Sequence, residues 1–173
     1  AGLDPARSVL AKQVHETTVR VCTEADAGKG LLRERDYTAD ALISDVPGLT
    51  LFVFSADCGT VLLYDPETGA AGAVHSGWRG CAAGIVAKAV RELHRVYGAK
   101  PEDLRAALGP CIGRCCFETD GDVPEAMEKA LGAAAGAYLE RRGAKWQVDL
   151  LGLNRQWLLE SRLNAEHIDA CEL

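Results

Sequence analysis

Two apolar runs, Thr60 to Tyr64 and Ala70 to His75, flank the segment Asp65-Pro66-Glu67-Thr68-Gly69. Proline presets φ early in that segment and glycine permits a positive φ late, so the runs are expected to pair as an antiparallel hairpin. Just beyond the second run the apolar period lengthens. Ile85, Val86, Ala89, Val90, Leu93, Val96 and Tyr97 recur at three- and four-residue spacing, with Lys88, Arg91, Glu92 and Arg95 between them. That spacing predicts an amphipathic helix from Gly80 to Tyr97, closed by Gly98 with Pro101 beyond it.

Further short strands are expected at Ala41 to Ser44, Leu49 to Phe54, Leu104 to Leu108, Lys145 to Val148 and around Ile168. The hairpin is expected to bring the ends of the Leu49–Phe54 and Ala70–Val74 runs into one sheet. Asp122 reads as the cap of a helix with Pro124 in its first turn, continuing through Met127 and Leu131. Asp149 reads as the cap of a last helix bearing Leu150, Leu153, Trp157 and Leu158. Asp26 to Asp36 is charged and contains glycine, as a surface loop does. Strands and helices alternate but a hairpin is present, so the expected class is α/β (α+β), a mixed sheet with helices on its faces. At 173 residues, with no internal repeat or linker, residues 1–173 read as one domain.

The formal charge of −6 lacks the basic stripe a nucleic-acid surface needs. The basic residues of Arg91 to Arg95 and Arg141-Arg142 read as solvated helix faces. No run is long enough to span a membrane and no signal peptide is visible, so no membrane partner is expected. Seven cysteines in a chain without a secretory signal read as reduced thiols, and the expected location is cytoplasmic. The chain lacks an initiating Met and stops soon after its last expected strand, so a fragment is expected.

Chemistry concentrates at His75-Ser76-Gly77-Trp78-Arg79-Gly80, where strand meets helix. Backbone N–H groups at a helix start attract anions, glycines allow close approach, and the planar fork of Arg79 suits phosphate or carboxylate. The bland alternative for Arg79 is a surface arginine. Cys58, after Ser55-Ala56-Asp57, allows two chemistries with His75. An imidazole can activate a thiolate nucleophile. Alternatively Cys58, His75 and a third ligand, His15, can hold Zn²⁺ with a position left for water. Spacing does not decide between these, and a buried cysteine acting as a small hydrophobe stands beside them. Taken alone, His15 reads as structural or surface, His94 as solvated, and His167 carries no signal. Cys111, Cys115 and Cys116 form the densest thiol cluster but have no second ligand pair nearby, so they read as structural or incidental. Glu118 reads as a surface carboxylate that can also face a pocket.

Four segments together resemble a known family: Tyr-Thr-Ala-Asp-Ala-Leu-Ile-Ser-Asp from Tyr37, Phe-Ser-Ala-Asp-Cys ending at Cys58, Leu-Leu-Tyr-Asp-Pro ending at Pro66, and Val-His-Ser-Gly-Trp-Arg-Gly ending at Gly80. They are similar to the YfiH-like proteins, also called laccase-domain or multicopper polyphenol oxidase proteins and peptidoglycan editing factors. Gln13-Val14-His15, Gly109-Pro110-Cys111-Ile112-Gly113 with Phe117-Glu118, and Asp149-Leu150 with Asn154 extend the likeness. The resemblance implies a zinc site of His15, Cys58 and His75 in an αββα-type, cysteine-hydrolase-like sandwich. It also implies purine nucleoside phosphorolysis (of adenosine, inosine, guanosine and methylthioadenosine), adenosine deamination, and a role in peptidoglycan precursor editing. Glu16 stands where the family usually has Gly, and Thr60 where it has Pro. Family segments before the histidine motif and after Cys171 have no counterpart here, so an incomplete pocket is expected.

The expected mechanism joins these readings. Zinc on His15, Cys58 and His75 serves attack of water on the adenine carbon that bears the amine. Arg79 with Gly77 and Gly80 positions phosphate, and Asp57 relays protons or fixes a ligand. The rivals are opportunistic or oxidase copper, a metal-independent Cys58–His75 hydrolase or amidase, and a silent binding module. A blue-copper centre wants an axial methionine, and Met127 has no motif around it; laccase chemistry needs a further cluster that four histidines do not supply.

Overall fold

The computed structural model describes residues 2–171. In chain order the strands are β1 (Ser8–Leu10), β2 (Val19–Val21), β3 (Ala41–Ser44), β4 (Thr50–Phe52), β5 (Gly59–Tyr64) and β6 (Ala71–Ser76). Two helices follow, α1 (Trp78–Ala82) and α2 (Ile85–Tyr97). Then come β7 (Arg105–Leu108), β8 (Glu118–Thr119), α3 (Asp122–Leu131), β9 (Leu139–Arg142), β10 (Lys145–Val148), α4 (Leu150–Glu160) and β11 (Ile168–Ala170).

The main sheet has six strands in the order β11-β7-β5-β6-β3-β2. The predicted hairpin sits at its centre, β5 antiparallel to β6 with Val61 opposite Val74. The edge pairs β2–β3 and β7–β11 are parallel, so the sheet is mixed, as expected. Side chains alternate across it. Ala41, Ile43, Val61, Leu63 and Val74 pack with Ile85, Val86, Ala89, Val90 and Leu93 of α2 and with Leu158 of α4. Leu42, on the opposite face, packs with Val9, Ala11, Leu49 and Leu51 around β1 and β4. Leu62 and Tyr64 share that opposite face but stay exposed. Such alternation is the period-two signature of a strand between two environments.

Four details differ from the sequence reading. The Leu49–Phe54 run does not join the hairpin sheet. Only Thr50–Phe52 is strand, and it pairs in parallel with β1 in a separate two-stranded sheet. The Gln13 amide ends it by serving both backbone groups of Phe54, at 2.7 Å each. The predicted Gly80–Tyr97 helix is interrupted: Gly84 takes a left-handed φ of 72° beneath the Trp157 ring, which divides α1 from α2. Asp122 lies inside α3, and Gly121 rather than Asp122 is its cap. Arg141 and Arg142 lie on strand β9, within a three-stranded sheet β8-β10-β9, not on a helix. The caps at Gly98 and Asp149 stand as predicted, with Gly98 N–H donating to the His94 carbonyl and the Asp149 carboxylate accepting from Gly152 N–H.

Candidate metal centre

Register brings the site together. Gly59 pairs with Ser76 and Thr60 with His75, so Cys58, one residue before β5, faces Gly77, one residue after β6. A Cβ added at position 77 would stand 2.8 Å from Cys58 Sγ and 3.2 Å from His15 Cδ2. The φ of −67° and ψ of 170° at Gly77 suit any residue, so crowding by the two side chains explains the glycine there. Gly80 differs: an added Cβ there would meet Ile85 and the Glu16 carbonyl only at ordinary contact distances of 3.4 and 3.5 Å.

Asp40, fully buried, is the residue that organises the site. Its Oδ1 lies 2.9 Å from His75 Nδ1. The same carboxylate accepts the backbone N–H groups of Val14, His15 and Glu16 at 3.2, 2.9 and 3.0 Å. Its own carbonyl accepts the His75 N–H at 2.7 Å. Successive N–H groups converging on an anion form a nest, and here the nest holds His15 at a left-handed φ of 62°. A carboxylate at Nδ1 places the ring proton there and leaves Nε2 of His75 with the free lone pair.

Within that frame one ligand atom each of His15, Cys58 and His75 lies within 4.8 Å of the others. Cys58 Sγ is 3.9 Å from His15 Nε2, and the two imidazoles meet edge to face at 4.8 Å between centroids. Zn–S and Zn–N bonds of about 2.3 and 2.0 Å set tetrahedral ligand atoms roughly 3.3–3.6 Å apart. The set therefore fits a small divalent ion after closing by about an ångström at its widest. One thiolate and two imidazoles also match the donor chemistry of zinc. Burial, then the charges of Asp57 and Asp40, push the Cys58 thiol up.

Beside Cys58 opens a cleft of about 170 Å³ lined by Asp57, Trp78, Ile112, Phe117 and Leu150. The loop bearing Ile112 is pinned by its N–H to the Asp57 carbonyl at 2.9 Å. Buried Asn154 joins the strand end to α4, accepting from Ser76 Oγ at 2.6 Å and donating to the Leu150 carbonyl. A larger groove of about 660 Å³ lies between α2 and α4, but it contains none of the ligand residues.

The other sequence candidates fall outside this centre. Arg79 is exposed, stacks on Trp78 at 4.3 Å, and lines a separate groove with Lys129. The helix start that was expected to receive an anion belongs to a five-residue helix. Glu118 is exposed on β8 and reaches Gln147 at 3.4 Å. His94 bonds the Ala99 carbonyl at the end of α2, and His167 lies near β11. Asp40 was missed by the sequence reading. Its signal is a lone acid within Ala39-Asp40-Ala41-Leu42-Ile43, since a charge entering a buried strand needs partners.

A family model described as multi-copper polyphenol oxidoreductase laccase matches residues 1–173. The chain belongs to this family. Family resemblance extends to the protein named purine nucleoside phosphorylase YlmD of Bacillus subtilis, 31% identical over 95% of this chain and 60% of that protein. A protein of Bacteroides thetaiotaomicron named purine nucleoside phosphorylase is 34% identical over 90% of this chain and 58% of its own. Among solved family structures, the YfiH hypothetical protein of Bacillus licheniformis superposes with a TM-score of 0.93 at 32% identity, covering 99% of this chain and 66% of that one. YlmD of Geobacillus stearothermophilus gives 0.91 at 29% identity, over 98% and 64%. The mixed-sheet fold is therefore the family's, and the chain spans about 60% of the length of these curated relatives. No helix among the described residues is long and apolar enough to cross a membrane.

Proposed function

We propose that this chain carries the metal-binding and base-recognising part of a purine nucleoside enzyme. Its reactions are phosphorolysis of adenosine, inosine, guanosine and methylthioadenosine, and deamination of adenosine. The observation that carries this reading is the convergence of His15, Cys58 and His75 beside a cleft walled by Trp78 and Phe117. The relatives named purine nucleoside phosphorylase support it.

In this reading His15, Cys58 and His75 hold zinc, which supplies Lewis acidity at the mouth of the cleft when bound. Trp78 and Phe117 present flat apolar surface to a purine ring, and Leu150 closes the floor against water. Asp57, exposed at the rim, accepts a hydrogen bond or proton from the base. Asp40 keeps the His75 ring in one orientation throughout. Arg79 makes no ion pair among the described residues; in this reading phosphate meets its guanidinium in the neighbouring groove that shares Trp78 with the cleft, not in the cleft itself.

Particular residues disfavour the rivals. A multicopper cluster needs more imidazoles, and His94 and His167 are placed elsewhere. Met127 is fully buried in an apolar cluster with Leu153 and Cys81, so it offers no axial ligand. A metal-free thiolate nucleophile needs its thiol pushed down, whereas the surroundings of Cys58 push it up.

The test is elemental analysis of protein purified without added metal, together with turnover of adenosine and inosine with and without phosphate. Zinc near one per chain, phosphate-dependent release of base, and loss of both in Cys58→Ser are expected. Turnover undiminished in Cys58→Ser, or copper with phenol oxidation and no nucleoside turnover, would sink the reading.

A further inference from the structure

The thiol cluster after Gly109 divides into two kinds of sulfur. Cys111 is half-buried, packs in the apolar cluster around Met127, and directs its Sγ toward the Ile112 carbonyl. Cys115 and Cys116 are both exposed, and their sulfurs stand 3.1 Å apart. Neither belongs to the metal-ligand set. They sit in a tight turn, in which the Cys116 and Phe117 N–H groups both donate to the Gly113 carbonyl at 2.9 and 3.0 Å. The next side chain, Phe117, walls the cleft beside Cys58.

We propose that Cys115 and Cys116 form a reversible vicinal thiol–disulfide couple, a redox-modification site on the loop that walls the cleft. Closing the bond requires the sulfurs to approach by about 1 Å, to the usual S–S length near 2.05 Å. The oxidant class is a low-molecular-weight disulfide. The thiolate of one cysteine attacks it, releasing one small thiol and leaving a mixed disulfide. The neighbouring thiol gives up its proton and attacks the protein sulfur of that mixed disulfide, expelling the second small thiol. In sum, two protein thiols are oxidised to one disulfide and the reagent is reduced to two thiols.

The bond is reversible for a geometric reason. Adjacent Cα atoms are about 3.8 Å apart across a trans peptide, below the span of about 4.4 Å and more that relaxed disulfides occupy. The ring is strained, and strained, exposed disulfides are the readily reduced ones.

The experiment equilibrates the purified chain with glutathione and glutathione disulfide at increasing ratios, traps free thiols, and maps the peptides. The expected product is a peptide containing residues 114–117 that has lost two hydrogens and carries no glutathione, restored by excess glutathione. Either Cys115→Ser or Cys116→Ser should abolish that product and leave glutathione on the remaining thiol. Three results overturn the proposal: glutathione on both wild-type thiols, both thiols still reduced at the most oxidising ratio, or Cys111 as the bonding partner.

Discussion

Asp40 binds the side chain of His75 and the backbone of His15 through one carboxylate oxygen, each at 2.9 Å. A single buried acid therefore aims two of the three candidate ligand residues. One is held by its ring and the other by the turn on which it rides.

Replacing that acid by its amide tests the arrangement. Asp40→Asn keeps the shape but loses the charge that fixes the His75 tautomer and gathers three N–H groups. Zinc or cobalt affinity, measured by competition with a chelator, should fall by about 10–100-fold. Unchanged affinity would mean that the carboxylate is packing alone.

Gly77→Ala isolates crowding from backbone conformation. The main chain there accepts alanine, but the new methyl would stand 2.8 Å from Cys58 Sγ. Metal affinity is expected to drop at least about tenfold while the unfolding midpoint moves little, since displaced ligands rather than a lost core are at issue. Equal affinity in titrations of wild type and variant would refute the close approach.

At Gly84 the expected loss is of stability. Its φ of 72° and the Trp157 ring, 3.3 Å from where a Cβ would stand, both oppose a side chain. Gly84→Ala should cost about 1–3 kcal/mol in urea denaturation, the strained backbone and the displaced ring contributing together. A variant as stable as the parent would show that the α1–α2 break is not set by this contact.

Acid sensitivity follows from Asp26. Burial alone would raise its pKa, but the Thr23 N–H and the cations Arg20 and Lys29 outweigh that and hold it at about 2. The folded value lies below the free value of about 3.9. Its stabilisation is thus fully present above the unfolded pKa and disappears as pH falls through about 2. Asp26→Asn should lower the melting temperature at neutral pH and flatten its decline between about pH 4 and 2. Parallel declines in both proteins would rule this coupling out.

Much of this architecture is readable from residues alone because its signals are local. The hairpin has proline and glycine at its turn, Gly98 and Asp149 mark helix ends, and β3 coincides with its apolar run. What escapes is decided by partners distant in sequence. Gly84 separates a short first helix from the stripe that begins at Ile85, in a left-handed conformation with Trp157 packed against it. Strands such as Ser8–Leu10 and Glu118–Thr119 are too short to show a period. The candidate ligands His15, Cys58 and His75 are nameable through family likeness, but their meeting depends on β5–β6 register and on Asp40, and neither leaves a compact motif.

The dispersed origin of the centre has a kinetic corollary. His15 is held at the centre by its segment's N–H bonds to Asp40, and Asp40 immediately precedes β3, which pairs along β6. No hairpin or helix forming by itself contains a competent ligand set. Uptake of a coloured ion such as cobalt during refolding should accordingly trail the circular-dichroism signal, making the metal a clock for the last long-range closure of the chain.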